Sequence, residues 1–307
     1  MAVAGEEVAP ARPAGRYAGA AMVLGAASLW GTLGYFGKLL YGKGLTPLEL
    51  ASVRAAVGTI GLVLWVAPAL ARLRIRSRDL PFFALYGVVA VALFQWLYFE
   101  AIERTSLANA AALLYTAPAF VVLLARLSGE RRLTRLQLAA LSMVLAGVFL
   151  VTGAAAALAG GARIGLGALA FGLASGLTYG LYTVLGKRAL RRYDPIRTVF
   201  WAFAFGALAL SLAAPPWRPF TERPAAAPLL VLLGLLPTLA AYLLYINALR
   251  RMPAPTAAML ATLEPVVATL IGVVLLGEAL GAGQAAGIAL IVGAALLLAR
   301  ARPHAAG

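Results

Sequence analysis

Two charged residues stand where charge is costly. Glu264 lies in a segment, 252–277, that is otherwise uncharged, and Arg54 shares 46–71 with only one other charge, Glu49. At the centre of a bilayer an ionised side chain costs about 2.5–3.5 kcal/mol on insertion scales, so each needs a reason to be there. A carboxylate in that position can hold an amine or a proton, and a guanidinium can hold a carboxylate. Together they suggest a polar hollow that receives a small organic ion. Structural roles are also open: Glu264 could bond helix ends freed by Pro265, and Arg54 could reach for the surface or pair with Glu49.

Aromatic and amide residues add to this set. Trp30, Gln95, Tyr115, Tyr179, Tyr182 and Tyr242 fall at comparable levels of their segments and suit an amphipathic solute. Trp96, Tyr98 and Asn247 read instead as interfacial belt residues. Pro118 and Pro265 sit in mid-segment, where each removes a backbone hydrogen bond and kinks its helix. In lipid such freed carbonyls are tolerated only beside protein or a water-filled cavity, so both prolines are expected to mark the central site.

The elements that must carry these residues are membrane helices. Of the 307 residues, 63% are hydrophobic and 12% charged, against about 25% charged in soluble domains. Residues 17–37, 80–99, 105–125, 136–162, 164–186, 198–217, 224–249 and 279–299 contain no charge. The pattern predicts an all-α membrane protein of ten transmembrane helices, at roughly 17–39, 46–70, 79–101, 105–127, 133–155, 163–186, 194–214, 226–249, 254–276 and 281–300. With the N-terminal side taken as inside, nineteen Lys and Arg fall on inner segments and six on outer ones. That bias predicts cytoplasmic termini and location in the cell (inner) membrane. The net charge of +15 is thereby placed against anionic lipid and away from any nucleic-acid role. Residues 1–15 are expected to form a disordered cytoplasmic leader and 301–307 a cytoplasmic tail, which holds the one histidine, His304.

The chain repeats itself at an offset of 147 residues. Gly25 and Ser28 recur as Gly172 and Ser175, Pro68 as Pro215, Tyr98 as Tyr245, Pro118 as Pro265, and Gln137 as Gln284. Gly129-Glu130 recurs as Gly277-Glu278 after a one-residue shift. Five crossings per repeat is an odd number, so the second copy must enter from the opposite face. Inverted repeats of this kind place a site near the midplane and give two related arrangements, one open to each side. Glu130 and Glu278 are expected to bond backbone donors at the starts of the fifth and tenth helices. Gly172, Gly176 and Gly180, and likewise Gly283 and Gly287, form small-residue stripes for close helix packing, the second through either a dimer or the fifth helix.

These paired segments carry a family resemblance. Leu29-Trp30-Gly31, Tyr115, Thr116, Pro118, Gly129 and Glu130 in the first half, and Leu263, Glu264, Pro265, Gly277 and Glu278 in the second, resemble the EamA-type permeases of the drug/metabolite transporter superfamily. The resemblance covers residues 17–300 and divides the chain into repeats at 16–155 and 163–300. It implies two inverted five-helix repeats and export of metabolites such as amino acids. The first half departs from it in reading Arg131-Arg132 after its Gly-Glu pair.

Other functions lack their residues. No HExxH, GxSxG, GxxxxGK[ST] or paired-carboxylate cluster occurs, which argues against an enzyme and against direct ATP coupling. With no cysteine there is no disulfide or thiolate metal site, and no metal or cofactor is expected. The expectation is a secondary transporter working as a monomer or homodimer on a small molecule in the bilayer. A channel or a non-transporting scaffold is the alternative.

Overall fold

The structure is a computed structural model that describes residues 13–105, 107–127, 134–160 and 164–300. The expected leader up to residue 12, the Gly129-Glu130-Arg131-Arg132 loop and the tail with His304 lie outside the described residues. All regular structure among the described residues is helical.

Helix α1 runs Pro13–Gly31 and resumes past Thr32 as Leu33–Tyr41. Its start falls inside the expected leader, with proline in the first helical position, where its missing N–H costs nothing. Then follow α2 (Pro47–Trp65), α3 (Ser77–Arg104), α4 (Asn109–Leu127), α5 (Arg135–Val151), α6 (Leu166–Ala189), α7 (Pro195–Ala213), α8 (Pro224–Leu249), α9 (Ala254–Leu275) and α10 (Ala282–Leu298). Among the described residues eight of these are long and apolar enough to cross a membrane, while α5 and α10 are shorter apolar helices. The sequence reading ran α5 to residue 155; it stops at Val151 because Gly153 takes a left-handed turn at φ 79°. Helix α2 likewise ends at Trp65, and Ala67–Leu73 tightens into 3-10 turns.

Helix starts follow local chemistry. Thr46 and Glu49 form a reciprocal capping box at α2, and Thr134 and Gln137 form one at α5. At α10 the Gln284 carbonyl accepts from Gly281 N–H at 3.0 Å, as Gln137 does from Thr134 N–H at 2.9 Å. Glutamine thus does at α10 the capping expected of Glu278. Glu278 instead turns to Lys38, 3.5 Å away at the end of α1, and Glu130 is outside the described residues.

The two halves pack by exchange. Helix α1 lies on α8 and α9 as α6 lies on α3 and α4; α2 meets α8 as α7 meets α3; α2 pairs with α7, α4 with α9 and α5 with α10. A deeper sign of duplication is invisible to composition. Val88–Leu93 in α3 and Leu235–Ala240 in α8 are both π-helical, at the same 147-residue offset, although the sequences VVAVAL and LLPTLA have little in common. A π-turn inserts one residue and turns the following side chains about the axis. It therefore re-aims Gln95 and Tyr98 in α3 and Tyr242 and Tyr245 in α8.

Glycines set the closest approaches. A Cβ at Gly176 would lie 2.8 Å from Thr116 Oγ1 and 2.9 Å from Leu113 O, so the α6 stripe seats directly on α4. A Cβ at Gly287 would lie 2.5 Å from Val151 N and 2.6 Å from Gly147 O. Helix α5 therefore accounts for that glycine. Large side chains such as Leu64, Leu208, Leu212, Val274 and Leu296 face outward, as an apolar solvent permits.

At the arginine-rich end, the segment leading into α3 is tied to the turn between α6 and α7. Trp201 Nε1 donates to Leu73 O at 2.7 Å, Arg197 Nε to Arg72 O at 2.5 Å, and Tyr193 Oη to Asp79 Oδ2 at 2.5 Å, with Arg192 3.4 Å from Asp79. Burial and the hydrogen bond to Asp79 push the Tyr193 phenol above its ordinary pKa. At the opposite end the α1–α2 turn meets the start of α8 and the segment before it, through Leu40, Leu45, Leu230 and Leu233, with Glu49 and Arg223 3.6 Å apart. The same pair of elements, exchanged between repeats, thus closes each end.

Candidate functional site

Both α4 and α9 are interrupted at their midpoints. Helix α4 breaks between Leu114 and Ala117, and α9 breaks at Thr262. Threonine hydroxyls hold the breaks: Thr116 Oγ1 donates to Leu113 O at 2.6 Å and Thr262 Oγ1 to Met259 O at 2.5 Å. Helix α1 uses the same device at Thr32, which donates to Leu29 O at 2.6 Å. Pro118 and Pro265 sit in the first turns of the restarted segments, where no helical N–H is lost. Both prolines are buried in the protein.

Between these breaks lies a cavity of about 20 Å³, lined by Trp30, Tyr115, Pro118, Tyr179, Tyr182 and Tyr245 among others. That volume admits about one water molecule. The aromatic side chains interlock: Trp30 meets Tyr242 at 5.1 Å and Tyr245 at 5.2 Å, and Tyr182 meets Tyr242 at 4.9 Å. Among the described residues neither Trp30 Nε1 nor Tyr182 Oη has a hydrogen-bond partner, and the two side chains are only 3% and 2% exposed. Burying a polar group unpaired costs about 1–3 kcal/mol, so two such groups beside one cavity point to a polar occupant.

Glu264 borders this cluster. It is half-buried in the first turn of the restarted α9, where the helix dipole favours an anion. Tyr179 Oη stands 3.5 Å from Glu264 Oε2, and Tyr115 also faces the carboxylate. Helix α1 presses on the same turn, since a Cβ at Gly31 would lie 3.0 Å from Glu264 O. Arg54 is half-buried on α2, and its Nε donates to Thr238 Oγ1 at 3.1 Å inside the π-turn of α8. Thr238 passes the bond on to Leu233 O at 2.9 Å. Glu264 and Arg54 act on each other electrostatically but form no salt bridge. Glu49 is taken by the Thr46 cap and by Arg223, so it is not the counter-ion of Arg54.

The structure thus brings Trp30, Tyr115, Tyr179 and Tyr182 to the cavity with Pro118, and sets Glu264 and Tyr242 beside it. Gln95 is buried on α3 but does not line the cavity; its neighbour Phe94 stacks on Tyr179 at 5.4 Å. Several residues come to the site that the sequence reading passed over. Thr183 and Thr262 line the cavity, and Thr183 Oγ1 and Tyr245 Oη are 2.7 Å apart. Tyr98, read as an interfacial residue, lies within electrostatic reach of Glu264. Trp96 does face outward, 47% exposed. Tyr245 belongs to the aromatic set that the sequence groups with Tyr242, and the recurrence of Tyr98 as Tyr245 was the signal available for Tyr98.

The Arg54–Thr238 bond gives a direct test. Thr238→Val keeps the shape of a fully buried residue and leaves the Arg54 Nε–H unpaired. The expected cost is about 1–3 kcal/mol, read as a lowered apparent Tm of the protein in detergent, while Thr238→Ser retains the wild-type value.

Comparison with known proteins gives this architecture its place. The profile of the EamA-like transporter family matches residues 17–153 and again 166–300. The chain is 31% identical over 282 residues to an uncharacterized transporter of Archaeoglobus fulgidus, covering 92% of this chain and 96% of that one. It is 31% identical over 242 residues to a probable terminal-alkyne amino-acid exporter of Streptantibioticus cattleyicolor, covering 78% of each. A solved crystal structure shares the fold with a TM-score of 0.75 at 23% identity, over 92% of this chain and 96% of that one. The two family matches and the apolar helices together mark a multi-pass membrane transporter built from two repeats. The chain belongs to the EamA-like transporter family.

Proposed function

We propose that this protein is a secondary carrier that exports small amphipathic metabolites of the amino-acid type. In this reading α5 and α10 cross the bilayer with the eight longer helices, at about 1.5 Å per residue near the lower limit for a span. The repeats are inverted, and both termini lie in the cytoplasm by the bias of basic residues. One observation carries the proposal: the broken midpoints of α4 and α9, one from each repeat, enclose a single cavity that holds unpartnered polar groups beside Glu264. Glu264 receives the ammonium of the solute, Arg54 its carboxylate, and the tyrosines and Trp30 its apolar part.

The cavity of about 20 Å³ is too small for such a solute, so the site opens by movement of the helices. Alternating access supplies that movement through the two exchanged end contacts. The curated relative named as a probable amino-acid exporter supports the solute class.

Purified protein in proteoliposomes, loaded in turn with a panel of amino acids and related amines, provides the test. The expected result is saturable uptake with counterflow for at least one zwitterionic solute, with and without a pH gradient. Flux that rises linearly with concentration and lacks counterflow would establish a channel instead.

A further inference from the structure

Away from the central cavity, the arginine-rich end carries a second hollow. It is an open groove of about 720 Å³ between α3, α4 and α6. Its floor is apolar and comes from Phe82, Leu124, Leu127, Leu181, Val184 and Leu185. Its rim holds Arg188, Arg191 and Arg192.

The groove lies on the far side of α6 from the cavity. At about 100° per residue, Leu181, Val184, Leu185 and Arg188 occupy one side of that helix, and Tyr179 and Thr183 the other. It is therefore a lateral recess in the surface that meets the bilayer. The cations of its rim are differently engaged. Arg192 is matched by Asp79 at 3.4 Å, and Lys187, which also borders the groove, donates to Leu249 O and to Met252 O at 2.8 Å. Arg188 lies over the Phe82 ring at 6.0 Å, and neither it nor Arg191 is ion-paired among the described residues.

We infer that this groove binds an anionic phospholipid, with an acyl chain along the leucine floor and the headgroup phosphate between Arg188 and Arg191. An apolar trough that ends in unmatched guanidinium groups is complementary to a molecule with a hydrocarbon tail and an anionic head, and the bilayer supplies that molecule where the groove opens. The site shares no residue with the central cavity, so it stands apart from the proposed solute.

Native mass spectrometry of the full chain in detergent tests this, with equal concentrations of dioleoylphosphatidylglycerol and dioleoylphosphatidylcholine. The expected result is preferential retention of phosphatidylglycerol. Each arginine near a membrane surface is worth about fivefold in binding, so Arg188→Gln with Arg191→Gln lowers that preference about thirtyfold. Leu185→Trp fills the floor without altering charge, and it lowers retention of phosphatidylglycerol while the protein remains monodisperse. Equal retention of the two lipids by the unaltered protein overturns the inference. So does an undiminished preference in the arginine variant, unchanged retention in Leu185→Trp, or displacement of phosphatidylglycerol by inorganic phosphate alone, which marks a headgroup site without a chain.

Discussion

Replacing Glu264 with Gln slows solute uptake about 10- to 100-fold at low solute concentration while leaving the protein folded. Glutamine matches the carboxylate in size and can still accept from Tyr179, which stands 3.5 Å away. It cannot balance a positive charge. A hydrogen bond to an ionised partner is worth about 1.5–3 kcal/mol, so losing it weakens binding of an ammonium about 10- to 100-fold. The measurement is initial uptake in proteoliposomes across a range of pH, with thermal stability recorded alongside. Transport that matches the unaltered protein at every pH would remove Glu264 from the mechanism. Tyr179→Phe provides the graded companion: it removes one hydroxyl from the same carboxylate and retains its charge, so its effect is the smaller.

The second large effect is on assembly, and it separates two glycines four residues apart. Gly287→Leu prevents α5 and α10 from pairing. Its Cβ would stand 2.5 Å from Val151 N and 2.6 Å from Gly147 O, and backbone cannot swing aside as a side chain can. The helices must part, which forfeits contact along their shared face; overpacking alone costs about 1–3 kcal/mol. A Cβ at Gly283 meets nothing within 4 Å among the described residues, so Gly283→Leu is tolerated. Gel filtration after detergent extraction is expected to give a monodisperse peak for Gly283→Leu and aggregation, or no recoverable protein, for Gly287→Leu. Equal behaviour of the two variants would contradict the packing described for this helix pair.

Those two glycines also mark where the sequence was legible and where it was not. Their spacing announced a close helix contact. Only the tertiary arrangement separates the one that faces α5 from the one that faces open space. Long uncharged runs, the duplicated prolines and the recurring tyrosines were enough to reach a helical membrane protein in two repeats, because hydropathy and repetition are properties of the chain itself. The paired π-turns were not legible. Val88–Leu93 and Leu235–Ala240 share a position and little chemistry, and a π-turn depends on what packs against it.

The same limit applied to side-chain direction. Tyr98 sits near a helix end and read as an interfacial residue, yet it lies within reach of Glu264. Glu278 read as a helix cap, but Gly281 N–H donates to Gln284 and the glutamate turns to Lys38. Arg54 was identified as an anomaly from its charge alone. Its partner, Thr238, is 184 positions away along the chain, and no local pattern relates the two.

One unevenness between the halves has a thermodynamic consequence. Helix α1 is interrupted at Thr32, whereas its counterpart α6 continues from Leu166 to Ala189 without a break. In the alternating access proposed above, interchangeable copies would make the two orientations of an empty carrier equal in free energy, each turned into the other by a two-fold rotation. A jointed member in one copy facing an unbroken rod in the other removes that degeneracy, so under the proposed mechanism the unloaded protein has a preferred side, and a solute must overcome that bias before it can be carried.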